Sequence, residues 1–95
     1  MNYKITLKIK YYFWENLLYS IINTNYLEEI INKYIQNDLF DLILLNSSFR
    51  NEIGIYKTIE LTLDQKLITK LDKKAKMFNI TKSLLINLML SNEIE

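Results

Sequence analysis

Two residue types that carry much of enzyme and metal chemistry are missing from this chain, which has no cysteine and no histidine. Thiol catalysis, disulfides, the usual Cys/His zinc sites and histidine acid–base chemistry are therefore excluded. Proline is absent too, and glycine occurs once, at Gly54, so glycine-rich phosphate loops and dinucleotide fingerprints cannot be written from this sequence. No apolar run approaches the roughly 18 residues that a membrane span needs, and the first residues lack the apolar stretch of a secretion signal. The expectation is a cytoplasmic protein with no membrane partner, no small-molecule substrate, no metal and no cofactor. The adjacent carboxylates Glu28 and Glu29 are the nearest approach to an acid–base pair, but neighbouring helix residues point in different directions. An enzyme is disfavoured.

What is present is ample core material. Of 95 residues, 49% are hydrophobic and 13% aromatic, which suits one domain spanning residues 1–95 rather than two cores or a disordered tail. Net charge is only +1, yet it is segregated. Residues 1–10 carry Lys4, Lys8 and Lys10 with no acid. Residues 64–82 hold six lysines against two aspartates, a local +4, and residues 11–56 hold two basic residues against six acidic ones, a local −4. Such a distribution can make one face attractive to a polyanion while the whole molecule stays near neutral.

The chain also repeats itself. Thr58-Ile59-Glu60-Leu61-Thr62-Leu63 alternates polar and apolar, which predicts a strand with one buried face. Asp64 stands at an N-cap position, and Leu67, Leu71, Ala75 and Phe78 give an apolar stripe on a helix. Asn79-Ile80 ends that helix. Thr81 caps a second, marked by Leu84, Leu85, Leu88 and Met89 and fading at Ser91-Asn92. The first half reads the same way, with alternation over Lys4–Ile9, then Phe13, Leu17 and Ile21, then Ile30, Ile31, Tyr34 and Ile35. A constant offset of 54 superposes the two without a gap. The expected organisation is a first strand-helix-helix repeat over 3–38, a connecting arm over 39–55 and a second repeat over 56–92. In the arm, Leu39, Leu42 and Leu45 are expected to continue the helix stripe from Ile35. The arm either packs over the chain's own core or makes a contact between molecules.

A single strand with two helices leaves its strand unpaired, whereas two such units in one chain can pair internally. Strand 3–9 antiparallel to strand 57–63 places Ile5, Leu7, Ile9, Ile59, Leu61 and Leu63 against the helices. The other face of the ribbon then shows Lys4, Thr6 and Lys8 beside Thr58, Glu60 and Thr62. The predicted class is mostly α with a two-stranded antiparallel ribbon, the two motifs forming an intramolecular pseudo-dimer.

The alternating strand Thr58–Leu63, the four-residue step from Leu63 to Leu67 and the Ile80-Thr81-Lys82-Ser83 start of the second helix resemble the ribbon-helix-helix (MetJ/Arc-type) transcription factors. Two fused copies in a small chain look like the tandem ribbon-helix-helix regulators of archaeal filamentous viruses, which would put the protein in a host cytoplasm. The resemblance implies a sequence-specific transcriptional regulator whose partner is double-stranded DNA, its ribbon lying in the major groove. Carried over by position, Lys4, Thr6, Lys8, Thr58, Glu60 and Thr62 would contact bases. The groove admits a two-stranded ribbon, lysine donates to guanine, carboxylate accepts from cytosine, and threonine serves either role.

Phosphate contacts are expected from Thr81, Lys82 and Ser83 at a helix start, helped by Lys10 and Lys57. The corresponding Leu27-Glu28-Glu29 departs from the pattern, with two carboxylates where a phosphate would dock. Asn25 with Glu28 reads instead as a capping box that starts this helix earlier. The cluster Tyr11-Tyr12-Phe13-Trp14 and the lysine run 70–76 read more simply as core rim and solvated helix face than as nucleic-acid contacts. Useful affinity would need several molecules on adjacent sites, hence possible self-association. The competing expectation is an antitoxin-like or structural protein-interaction module that binds no DNA.

Overall fold

The computed structural model describes residues 2–19, 24–46 and 55–94. Strand β1 (Asn2–Lys10) runs without a loop into helix α1 (Tyr11–Tyr19), followed by α2 (Thr24–Ile35) and α3 (Asp38–Asn46). Strand β2 (Tyr56–Asp64) likewise runs directly into α4 (Gln65–Phe78), and α5 (Lys82–Ile94) completes the described chain. Among the described residues the molecule is mostly helical with one two-stranded antiparallel sheet, as the alternation and the helix stripes predict.

Alternation explains the sheet. The strands show one and the same burial pattern, in which the even positions 2–8 and 56–62 are exposed and the odd positions Leu7, Ile9, Leu61 and Leu63 are buried. Their register pairs Lys4 with Thr62, Thr6 with Glu60 and Lys8 with Thr58 on one face, and Ile5 with Leu61 and Leu7 with Ile59 on the other. Shifting β1 by 54 positions reproduces β2 at both ends, and the same shift carries Tyr11, where α1 starts, onto Gln65, where α4 starts. The ladder is closed at one end by the Tyr11 N–H donating to the Ile55 carbonyl at 2.8 Å.

Caps fix the helices of the second half. The Asp64 carboxylate accepts from Lys66 N at 3.1 Å, starting α4 where the chain leaves the strand. At the other end Asn79 is left-handed (φ 56°, ψ 46°), Ile80 N donates to the Ala75 carbonyl at 2.9 Å and Asn79 N to that of Lys76 at 3.2 Å, a Schellman closure. Thr81 Oγ1 accepts from Leu84 N at 3.1 Å and so caps α5.

The core is a single cluster between the inner ribbon face and the helices. Helix α5 is its central member. It packs against β1, α1, α2 and α4 and buries Leu85, Ile86, Met89 and Leu90, so the one-sided stripe Leu84, Leu85, Leu88, Met89 understates it. Leu84 and Leu88 are half-buried. Phe13, Ile30, Ile31, Tyr34, Ile35, Leu67, Leu71 and Ala75 are buried as their spacing predicts, whereas Leu17 and Ile21 lie outside the described side chains.

The arm departs from expectation. The stripe from Ile35 does not continue, because α2 ends and a new helix, α3, begins at Asp38. Asn37 makes the break, its side chain accepting from Leu39 N at 2.9 Å and its carbonyl from Phe40 N and Asp41 N. This resets the helix phase. Phe40 and Leu44 are buried, and Leu39, Leu42 and Leu45 point outward. The remainder of the arm, residues 47–54, lies outside the described residues. Helix α2 spans Thr24–Ile35, so Asn25 lies inside it instead of before it.

Candidate nucleic-acid interface

The ribbon's outer face gathers all six residues that the sequence proposes for base contacts. Lys4, Thr6 and Lys8 on β1 stand directly across from Thr62, Glu60 and Thr58 on β2, and all six are exposed. Strand pleating puts them on one side, so the face is a continuous polar strip about 5 Å wide in the pairing direction. Its charges sit unevenly, with both lysines on β1 and the one carboxylate on β2. Lys4 Nζ lies 3.6 Å from Glu60 Oε2, a diagonal cross-strand ion pair with both side chains mostly in solvent. The register, which the sequence alone leaves open, creates this pair.

The end of α5 lies against the same ribbon. Ser83 Oγ accepts from Lys8 N at 3.1 Å, which sets Thr81, Lys82 and Ser83 beside the outer edge of β1. With Thr81 Oγ1 taken by Leu84 N and the Thr81 carbonyl by Leu85 N, the N–H groups of Lys82 and Ser83 belong to the helix turn that has no intrahelical acceptor. A partial positive charge accumulates there. Lys82 Nζ is drawn 3.0 Å from Asp72 Oδ1 of α4, so its ammonium is held back over the α4–α5 corner. Lys10 closes β1, half-buried and 5.8 Å over the Phe13 ring, and Lys57 is exposed on the helix side of the ribbon, opposite Ile9.

Nothing comparable stands at the equivalent place in the first half. Leu27 is buried, Glu28 half-buried and Glu29 exposed, and all three lie a full turn inside α2 instead of at its start.

A residue that the sequence reading passed over holds the arrangement together. Asn87 on α5 is 6% exposed. Its Oδ1 accepts from Lys10 N at 3.0 Å, while its Nδ2 donates to the Lys8 carbonyl at 2.9 Å and the Ser83 carbonyl at 2.8 Å. A strand edge offers unpaired N–H and C=O groups, and Asn87 satisfies two of them on β1 with the geometry of a third strand. The signal was a lone amide in the apolar run Leu84–Leu90.

Two further side-chain junctions fix the helices behind the ribbon. Lys74, one of the run read as a solvated face, is buried and pairs with Asp41, fastening α3 to α4. Glu93 Oε2 accepts from Lys33 Nζ at 2.8 Å and from the Tyr34 hydroxyl at 2.6 Å, tying α5 to α2. These donors hold the Glu93 carboxyl below the usual carboxylate range, and burial with the neighbouring carboxylate pushes the Tyr34 phenol above its ordinary value. Among the aromatic cluster, Phe13 is buried, Trp14 half-buried, and Tyr11 and Tyr12 exposed.

Among the described residues no helix is long and apolar enough to cross a membrane, and no group of three or more acidic, His or Cys residues is placed to hold a metal ion. Compared with known proteins, the chain matches no family model, no curated protein and no solved structure.

Proposed function

We propose that this protein is a sequence-specific double-stranded DNA-binding transcriptional regulator, built as two tandem ribbon-helix-helix units that complete one ribbon within a single chain. The observation that carries this reading is the register, which lines up Lys4, Thr6 and Lys8 with Thr62, Glu60 and Thr58 on a fully exposed polar face. A two-stranded ribbon fits a major groove about 12 Å wide, where each base pair shows a distinct donor and acceptor pattern. The tandem reading is supported by the coincidence of β1 with β2, and of the starts of α1 and α4, under one 54-residue shift. In this reading Thr81, Lys82 and Ser83 meet a phosphate flanking the groove, with Lys10 and Lys57 near the ribbon end. The first unit contributes no such clamp. Because the two strands carry different side chains, the site read is asymmetric.

Replacing Lys4, Thr6, Lys8 and Glu60 together by Ala tests the proposal. All four are exposed, so the melting temperature stays close to that of the parent while sequence-specific gel shifts disappear. A retained shift on the selected site refutes groove reading by the ribbon. The second reading is an antitoxin-like or structural protein-interaction module, and it draws on the Lys4–Glu60 pair, which cancels charge on the face meant for a polyanion. In that case a random-sequence duplex pool yields no enriched site for the parent protein.

A further inference from the structure

We propose that the outward face of α4 binds the sugar-phosphate backbone of duplex DNA without regard to sequence, as a surface separate from the ribbon. Lys66, Lys70, Lys73 and Lys76 are all exposed there. At about 100° per residue they fall, with Thr69 and Met77, within an arc of about 120°. The opposite side of the helix carries the buried Leu67, Leu71, Lys74 and Ala75. None of the four exposed lysines has an ion-pair partner among the described residues. Asp72, half-buried at the border of the arc, is taken by Lys82, and the Asp64 carboxylate caps the helix. A face that serves solubility alone mixes both signs, whereas ammonium groups three and four residues apart repel one another. Lys66 adds to the strain, because the first turn of α4 holds no acid and the helix dipole disfavours a cation there. An anion laid along the stripe relieves both.

The chemistry of the stripe selects its partner. Successive lysines follow at about 4.5–6 Å along the helix axis, against about 3.4 Å per phosphate on one strand of a duplex. Four ammonium groups over about 15 Å thus face a run of phosphates. A lipid surface fits less well, because an interfacial helix buries an apolar face in the bilayer and that of α4 is committed to the core. An acidic protein partner would want an apolar centre, and Met77 is the one large apolar side chain of the arc. The stripe also looks away from the ribbon, since Leu67, Leu71 and Ala75 turn toward the core whose other wall is the inner face of β1 and β2. The surface therefore serves a duplex other than one entered by the ribbon, and the proposal does not require the ribbon to read sequence.

The test starts from the full chain with Lys4, Thr6, Lys8 and Glu60 replaced by Ala, which removes the ribbon's contribution and leaves α4 intact. Fluorescence anisotropy of a labelled random-sequence duplex is expected to show binding that weakens steeply with salt. Adding Lys66→Gln, Lys70→Gln, Lys73→Gln and Lys76→Gln lowers the affinity about tenfold or more at about 50 mM salt and makes the slope of log K against log salt shallower by about 3. The melting temperature stays level or rises, because the repulsion along the helix is gone. Arginine at the same four positions keeps both affinity and slope, which a loss through misfolding would not explain. No binding by the ribbon-alanine chain, or an affinity and slope that the glutamines leave unchanged, overturns the proposal. So does tighter binding to vesicles of equimolar phosphatidylcholine and phosphatidylserine than to the duplex at the same salt, which would assign the stripe to a membrane. Sequence-specific shifts that survive in the ribbon-alanine chain count against the ribbon and leave this outcome untouched.

Discussion

Thr6 faces Glu60 at the midpoint of the ribbon, and these are also the two positions that the 54-residue shift equates. The proposed two-fold relation between repeats would demand such a coincidence, because equivalent residues can stand opposite each other only on an axis. The side chains break what the backbone keeps. Equivalent positions carry Lys4 and Thr58, Thr6 and Glu60, Lys8 and Thr62, so β1 supplies the cations and β2 the carboxylate. One strand of the proposed reading head favours guanine and the other cytosine.

Glu60→Thr restores chemical equivalence at the axis. It frees Lys4 from its 3.6 Å partner and removes a carboxylate that repels phosphate. Stability should move by less than about 0.5 kcal/mol, since the pair is exposed. Under the DNA-binding proposal, competitive gel shifts show affinity for random duplex rising several-fold and discrimination at one base-pair position falling by an amount on the order of 1–3 kcal/mol. An unchanged preference at every position would remove Glu60 from the reading surface.

Asn87 is the residue whose loss should hurt most. Asn87→Leu fills the space but strands the Lys10 N–H and the Lys8 carbonyl at a buried edge, an effect of about 2–4 kcal/mol in urea unfolding. Asn87→Asp is worse at neutral pH, because a carboxylate would then face the carbonyls of Lys8 and Ser83, to which the amide donates in the parent. Its folded-state pKa is raised, so its stability is greatest in acid and is lost as pH rises through the folded value. Faster hydrogen exchange at Lys10 N in Asn87→Leu separates loss of the edge bond from general loosening.

Much of this fold was legible because its signals are local. Alternation gave both strands, and Asp64, Asn79 and Thr81 behave as the caps that their types imply. The arm was not legible in the same way. In Asp38–Asn46 the run from Leu42 to Leu45 is apolar without a break, so periodicity gives little phase, and the phase is set by one side chain, Asn37, acting as a cap. Asn37 followed by Asp38 and Asp41 is a helix-start signal in its own right, which the expectation of a continuous stripe from Ile35 did not take into account. Ile86 and Leu90 were missed for a tertiary reason, since a stripe argument assumes one buried face and α5 is surrounded. At the candidate site exposure was legible and pairing was not, because Lys4 meets Glu60 only through the register.

Lys74 and Asp41 should respond unequally to removal. Asp41→Ala leaves an ammonium buried without its partner and lowers stability by about 1–3 kcal/mol, a figure discounted because the carboxylate side is a third exposed. Lys74→Met keeps the apolar stem and leaves Asp41 near water, with a change of about 1 kcal/mol or less. Equal losses in urea titration would mean that the pair does not anchor α3.

Glu93 links the α2–α5 junction to pH. Its carboxyl is held below the usual range by the hydrogen bonds from Lys33 and Tyr34, so the unfolded chain binds its proton first on acidification. The contribution is therefore present above the ordinary glutamate value of about 4.3 and is lost as pH falls through the lower folded value. Tyr34 works in the opposite direction, its raised phenol contributing below about 10 and losing that as pH rises through the folded value. Glu93→Gln should flatten the melting temperature against pH on the acid side and weaken the alkaline fall as well. A parent-like acid slope in Glu93→Gln would assign acid sensitivity to other carboxylates.

Phosphate contacts and base contacts should separate in mutants. Lys82→Ala removes a cation beside the α5 N-terminus, so under the DNA-binding proposal it weakens binding about equally across sequences and reduces the salt slope by about 1. With four to five phosphate contacts the parent slope of log K against log salt is roughly −4. Thr62→Ala, by contrast, lies on the ribbon face and should leave that slope unchanged while altering preference at a single base pair. Lys82 begins from an ion pair with Asp72, and Asp72→Asn releases it, so that variant should bind more tightly to every duplex at low salt. Opposite effects of Lys82→Ala and Asp72→Asn on one slope place the ammonium on a phosphate. Identical effects would instead mean that the α4–α5 corner acts only through stability.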